Sequence, residues 1–210
     1  MMRIDSLSAT ADRAGRYWVT FSDGTKLRLY PQTVEDFGLY SGLELTHEQY
    51  QALHEAAGKM SAKMRAVRVL SASSVSKADL QQRLIQKGES KQHAVQAVEW
   101  MAQLELVDDA KTAQLLVQRC AAKGYGIARA KQILYEKRIP KDLWEEALAD
   151  YPDQSQHILS YMQSRLRGDW QERDLKRVTD ALLRKGHAYR DIRQVLEQFS
   201  ADTDSFPEDF

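Results

Sequence analysis

The chain has 210 residues, 43% of them hydrophobic and 29% charged, with 30 lysines and arginines matched by 30 aspartates and glutamates. This is the composition of an ordinary soluble protein of one large or two small domains, and no apolar run approaches the roughly 20 residues a membrane span needs. The one cysteine, Cys120, excludes an internal disulfide and leaves no cysteine set for zinc.

The opening MMRIDSLSAT lacks the apolar centre of an export signal, so the expected location is the cytoplasm. Charge is unevenly spread: residues 63–200 carry 24 bases against 18 acids, residues 1–62 carry 6 against 8, and the last ten carry four acids and no base. That middle surplus favours an acidic partner surface. It is weaker than the footprint of a dedicated DNA binder.

Along the chain, residues 1–30 alternate in the manner of strands. Tyr17, Val19 and Phe21 interleave with Trp18 and Thr20, and Leu27 and Leu29 with Lys26 and Arg28. Asp23-Gly24 between the two runs is a hairpin turn signal, and residues 4–8 offer a third strand. Phe37, Leu39, Leu43 and Leu45 read as a short apolar linker containing Gly38 and Gly42. Thr46 with Gln49 forms a capping box that opens a helix through Tyr50, Leu53 and Ala57, and that helix, or a break near Gly58, delivers the chain into the first repeat.

From residue 63 the sequence repeats. Aligned on Gly88, Arg138 and Gly186, the copies are offset by 50 and 48 residues, and six residues on stand Ala94, Trp144 and Ile192. Nine on stand Ala97, Ala147 and Val195; ten on, Val98, Leu148 and Leu196; thirteen on, Met101, Tyr151 and Phe199. Those offsets keep one face of a 3.6-residue helix. Leu84, Leu134 and Leu182 lie four before the hinge and Lys87, Lys137 and Lys185 one before it. Each copy therefore reads as helix, turn, helix, with a further helix ahead at residues 64–70, 112–122 and 157–166.

The expected architecture is mainly α: three tandem three-helix (helix-turn-helix-like) repeats in an elongated curved array, behind a small N-terminal β-hairpin or three-stranded domain. The expected boundaries are 1–45 for the sheet and linker, 46–62 for a connecting helix, 63–110, 111–152 and 153–200 for the repeats, and 201–210 for an acidic tail.

The runs LQQRLIQKG, LELVDDAKTAQLLVQ and AAKGYGIARAKQILYEKRI, followed by LLRKGHAYRDIRQVLEQF, resemble the RecX family of bacterial recombination regulators over residues 63–199. One departure stands out. Arg138 occupies the second hinge where a glycine is expected, so that helix should end differently, with Pro140 helping to stop it. The resemblance implies a monomeric, non-enzymatic modulator that binds RecA–DNA filaments, DNA entering as part of the filament, and alters recombinase, ATPase and SOS coprotease activity, in the sense of inhibition. No cofactor is implied. The alternative is a general DNA-binding helix-turn-helix protein without a recombinase partner.

Candidate partner contacts are basic. Lys87, Lys137 and Lys185 sit where a lysine also complements a helix C-terminus. Arg129, Lys131, Lys137, Arg138 and Lys141 form the densest basic segment of the middle repeat. Gly124 and Gly126 flank Tyr125 just ahead of it, where an exposed helix N-terminus could hold a phosphate or carboxylate. In the third repeat Arg165, Arg167, Arg173, Lys176 and Arg177 bracket Gly168-Asp169-Trp170, and Arg184, Lys185, Arg190 and Arg193 continue the basic side. Trp170 reads as a packing anchor between repeats. Asp108-Asp109 reads as a helix N-cap rather than a metal pair. The five histidines show no ligand spacing, and no Ser/His/Asp or Cys/His set is placed by any pattern.

Overall fold

A computed structural model describes residues 1–166 and 170–201, so Arg167, Gly168, Asp169 and the acidic tail after Ala201 lie outside the described residues. The chain divides into two compact units, Met1–Val107 and Asp108–Phe210.

In the first unit the alternating runs become antiparallel strands β1 (Met2–Leu7), β2 (Tyr17–Phe21) and β3 (Lys26–Leu29). A fourth, β4 (Glu44–Leu45), pairs with the other side of β1, giving the order β3-β2-β1-β4. The sheet thus has four strands rather than three. The expected linker supplies β4 because Leu39, Leu43 and Leu45 must cover the same apolar face, and a short helix α1 (Pro31–Asp36) carries the chain across to it. The inward residues Ile4, Val19, Phe21 and Leu29 are wholly buried against Leu53 and Tyr50 of the next helix, the Phe21 and Tyr50 rings meeting edge-on at 5.0 Å.

That helix, α2 (His47–Ala72), opens on the capping box: Gln49 N–H donates to Thr46 Oγ1 at 3.1 Å and Thr46 N–H to Gln49 Oε1 at 2.8 Å. It does not break at Gly58. The glycine instead makes room for His93, whose ring would lie 2.2 Å from an added Cβ and whose Nε2 reaches Glu55 at 3.0 Å. Helices α3 (Lys77–Gln86) and α4 (Lys91–Gln103) fold back on α2 around Ala62, Ala66, Leu80, Leu84, Ala94, Val98 and Met101. Glu89, just past the hinge, is fixed by Ser61 Oγ at 2.9 Å and Arg65 Nε at 2.7 Å. A Leu80→Ala or Leu84→Ala change in such a core costs about 2–5 kcal/mol.

The second unit holds two further sets. One is α5 (Asp109–Ala122), α6 (Ile127–Glu136) and α7 (Trp144–Leu148), the last entered through a 3-10 turn over Lys141–Leu143. The other is α8 (Ser155–Arg165), α9 (Glu172–Arg184) and α10 (Tyr189–Ala201). Each has its own apolar cluster, Cys120, Leu134 and Ile139 in the first and Ile158, Leu175, Leu182 and Ile192 in the second. Asp108 caps α5, accepting from Ala110 N–H at 2.9 Å and Lys111 N–H at 3.1 Å. Trp170 is half-buried and packs against the core cluster of its own repeat.

The three hinges end their helices in the same way. At Gly88 (φ 91°) the N–H donates to Ile85 O at 2.9 Å and the following Glu89 N–H to Leu84 O at 3.1 Å. At Gly186 (φ 87°) the equivalent bonds run to Leu183 O at 2.9 Å and from His187 N–H to Leu182 O at 3.2 Å. Arg138 does not end its helix differently. It adopts φ 55°, and its N–H and that of Ile139 donate to Tyr135 O at 2.9 Å and Leu134 O at 3.0 Å. The paired bonds satisfy helix-end carbonyls that would otherwise be orphaned, and this outweighs the cost of a left-handed arginine.

Gly126, the N-cap of α6, shows why that helix start is not the open anion site expected. Gly126 N–H donates to Lys185 O at 3.0 Å and Ala128 N–H to Gly186 O at 3.3 Å, so the third hinge's carbonyls occupy the helix N-terminus. The two backbones touch: a Cβ on Gly126 would lie 2.0 Å from Gly186 O, and one on Gly186 2.3 Å from Arg129 N. Backbone cannot rotate aside as a side chain can. We expect Gly126→Ala to cost about 1–3 kcal/mol, as overpacking does, read as a lower urea midpoint, whereas Gly15→Ala in the first unit, where a Cβ meets nothing, leaves the close contact intact and costs only its left-handed strain.

Candidate partner-binding clefts

Several of the basic residues line clefts near helix ends. In the first unit Lys87, the exposed C-cap of α3, lines a hollow of about 330 Å³ with Arg65, Arg68 and Arg83 beside the last turn of α2. Arg65 is committed to Glu89 and Arg83 to Asp79 at 3.0 Å, while Arg68 reaches the Tyr30 hydroxyl. The Lys87 ammonium therefore faces the pole where helix carbonyls concentrate negative charge, and its structural role is compatible with contact to a partner.

In the middle repeat Lys137 is the half-buried C-cap of α6, and Lys131 is exposed on that helix. Arg129 is largely spent: half-buried, with its backbone against Gly186, it pairs with Glu136 at 3.6 Å. Arg138 and Lys141 are exposed and share a cleft of about 560 Å³ with Tyr135 and Trp144.

The third repeat centres on Tyr161 of α8, which the sequence did not single out. The Arg165 guanidinium lies 5.6 Å and the Lys185 ammonium 4.7 Å from its ring centroid. Hollows of about 330 and 230 Å³ open on either side. Arg165, Arg177 and Asp174 line the first, and Lys123, His157, Ser160 and Lys185 the second. Of the expected contacts, Arg177 lines the first hollow and Lys185 the second, with Tyr161 common to both, and Arg177 also pairs with Asp174 at 3.7 Å. Arg173, Lys176 and Arg184 are exposed elsewhere along α9, and Arg190 pairs with Asp191 at 3.5 Å. Lys123 was legible after all: Lys123-Gly124 repeats the Lys-Gly of the first and third hinges, with the same helix ending.

Buried titratable groups serve the packing. Tyr151 donates from its hydroxyl to Tyr125 O at 2.7 Å, and burial pushes its pKa up to about 12. Backbone N–H bonds, first from Lys111, hold the Asp108 carboxyl below its ordinary range. Among the described residues no group of three or more His, Cys, Asp or Glu is placed to hold a metal, and no helix is long and apolar enough to cross a membrane.

Fold and clefts together define a class: a mainly helical repeat protein with a small N-terminal sheet, bases lining several of its clefts. No family model matches the chain. It is 28% identical over 137 residues to "Regulatory protein RecX" of Prosthecochloris aestuarii (strain DSM 271 / SK 413), an alignment spanning 64% of this chain and 90% of that protein. Its fold matches a crystal structure of regulatory protein RecX with a TM-score of 0.64 at 20% identity, over 94% of this chain and all of that one. RecX from Lactobacillus salivarius matches at 0.62 and 18%, over 70% of this chain and 99% of the other. The resemblance read from the repeats is borne out: the chain is RecX-like in sequence and in fold.

His187, beside Lys123 and Lys185 in the second hollow, makes this region sensitive to acid. It is buried, with Nε2 placed 3.1 Å from Gly124 O. Burial holds its pKa below the ordinary histidine value, helped by Lys185 and His157 and opposed by the Gly124 bond and Asp191. Below about pH 6.5 the unfolded chain takes up a proton that the folded site resists, so stability falls with falling pH until the folded pKa is passed. The expected slope is at most about 1.4 kcal/mol per pH unit. Urea midpoints at pH 8 and pH 5.5 should differ in this direction, and His187→Gln should narrow the gap.

Proposed function

We propose that the chain is a non-enzymatic regulatory protein that binds the RecA–DNA filament and lowers its recombinase, ATPase and coprotease activity, acting in the cytoplasm. The observation that carries this reading is the sequence match running through 90% of a protein named as a RecX regulator. The clefts support it. A chain with no net charge nonetheless gathers bases in all three repeats, which suits an acidic nucleoprotein surface. Lys87, Lys131, Lys137, Arg138, Lys141, Arg173, Lys176, Arg177, Arg184 and Lys185 are the proposed contacts. Arg129 and Arg190 are further candidates, each paired within the chain as Arg177 is.

The helices a DNA reader would insert argue against plain sequence-specific binding. The α4 side chains Glu99 and Gln103 and the α10 side chains Gln194 and Glu197 are exposed, and Glu197 binds Arg193 at 3.0 Å. Acids on that face oppose entry into a groove lined by phosphates.

Substoichiometric protein should depress DNA-dependent ATP hydrolysis by RecA filaments, and excess DNA should not restore it. Unchanged hydrolysis, or full rescue by DNA, would leave simple DNA competition as the better account.

A further inference from the structure

We infer that Arg138 presents its guanidinium to a carboxylate of the partner protein, and that the cleft beside it takes an acidic polypeptide segment. The inference rests on the reading that this chain binds a protein filament, and it specifies where and by what chemistry.

A side-chain-bearing residue with φ 55° is disfavoured, because its Cβ crowds the neighbouring carbonyl. The other two hinges avoid this with Gly88 and Gly186, as does the fourth Lys-Gly ending at Gly124. Glu105 has φ 56° as well and lines none of the basic clefts, so backbone strain alone assigns nothing. The surroundings do. Arg138 and Lys141 have no ion pair among the described residues, and the only acid lining their cleft, Glu136, is turned to Gln132 at 2.9 Å and Arg129 at 3.6 Å. Two unneutralised cations therefore flank one hollow.

The walls have the composition of an interface centre. Tyr135 is 69% exposed, an unusual position for an aromatic ring that no neighbour requires. Tyr, Trp and Arg are the residues that dominate binding energy where proteins meet. Trp144 is fixed by Nε1–H donating to Ile139 O at 3.0 Å, and Pro140 restricts the backbone between them. The cleft is thus formed before any partner arrives, which lowers the ordering cost of binding. Arginine suits the role because its planar fork bonds both oxygens of a carboxylate, which neither glycine nor lysine can do.

Arg138→Gly separates function from structure, because the two respond with opposite sign. Relief of the strained backbone should raise Tm by roughly 2–4 °C, while affinity for the assembled RecA–DNA filament falls about tenfold or more. Binding to the bare oligonucleotide should not change, and Arg138→Lys should recover only part of the filament affinity. Filament binding by Arg138→Gly within twofold of the wild type overturns the inference alone. So does an equal loss on bare DNA, which would make the ligand a phosphate, or a fall in Tm. A wild-type protein that binds no filament removes the functional reading and this inference with it.

Discussion

The helical part of this protein depends on how its helices are closed. Helices α3 to α6 and α8 to α10 have 10–14 residues, at or below the length that persists alone in water, so each must turn back at once to bury its apolar stripe. The left-handed residue after each cap lysine does this while binding two of the last carbonyls internally. Carbonyls left over at Lys185 and Gly186 accept from the unpaired N–H groups at the start of α6. The orphan donors of one helix thereby satisfy the orphan acceptors of another, and the two poles carry opposite partial charge. Because backbone makes the junction, it tolerates almost any side chain except at Gly126 and Gly186, where it tolerates none.

The same polarity sorts the charges. Acids are drawn to helix starts, as Asp79, Asp108 and Asp174 are, and lysines to helix ends, as Lys87, Lys123, Lys137 and Lys185 are. Each favourable placement is worth about 0.3–1 kcal/mol. Further acids are committed within the fold, Glu89 to Arg65, and Glu55 to Lys59 at 3.3 Å and to a hydrogen bond with His93 at 3.0 Å. A composition with no net charge thus folds into a molecule whose helix-end clefts are basic. Bases outnumber acids along those clefts, and the two acids that line them, Glu136 and Asp174, are paired with Arg129 and Arg177.

Much of this was legible because repetition supplies an internal comparison. Offsets of six, nine, ten and thirteen from each hinge located the buried faces, and Ala94, Ala97, Val98 and Met101, with Ile192, Val195 and Leu196, are buried as that spacing requires. Local signals also held: the Asp-Gly turn, the Thr46–Gln49 box and the Asp108 cap all involve residues within four positions of one another. What escaped was long-range. Glu44–Leu45 becomes a strand only because β1 offers an open edge 40 residues away. The α6 start is closed by carbonyls 59 and 58 residues on. Tyr161 becomes the centre of a cleft only when α5, α8 and α9 converge on it. No pattern within a window of a dozen residues encodes such meetings.

Arg138 departs from its sequence expectation for a different reason. Local preference predicts that arginine in place of glycine changes the turn. The paired hydrogen bonds decide it instead, and arginine is bent to the shape glycine would take unaided. In a repeat, a position that keeps its geometry but breaks the residue rule carries a cost with no structural return. At Gly126 the opposite holds, because the residue follows from a contact and nothing else fits. Where contact explains the residue, no further role is needed. Where the residue opposes its own backbone and sits exposed among Tyr135, Lys141 and Trp144, no ion pair among the described residues accounts for it.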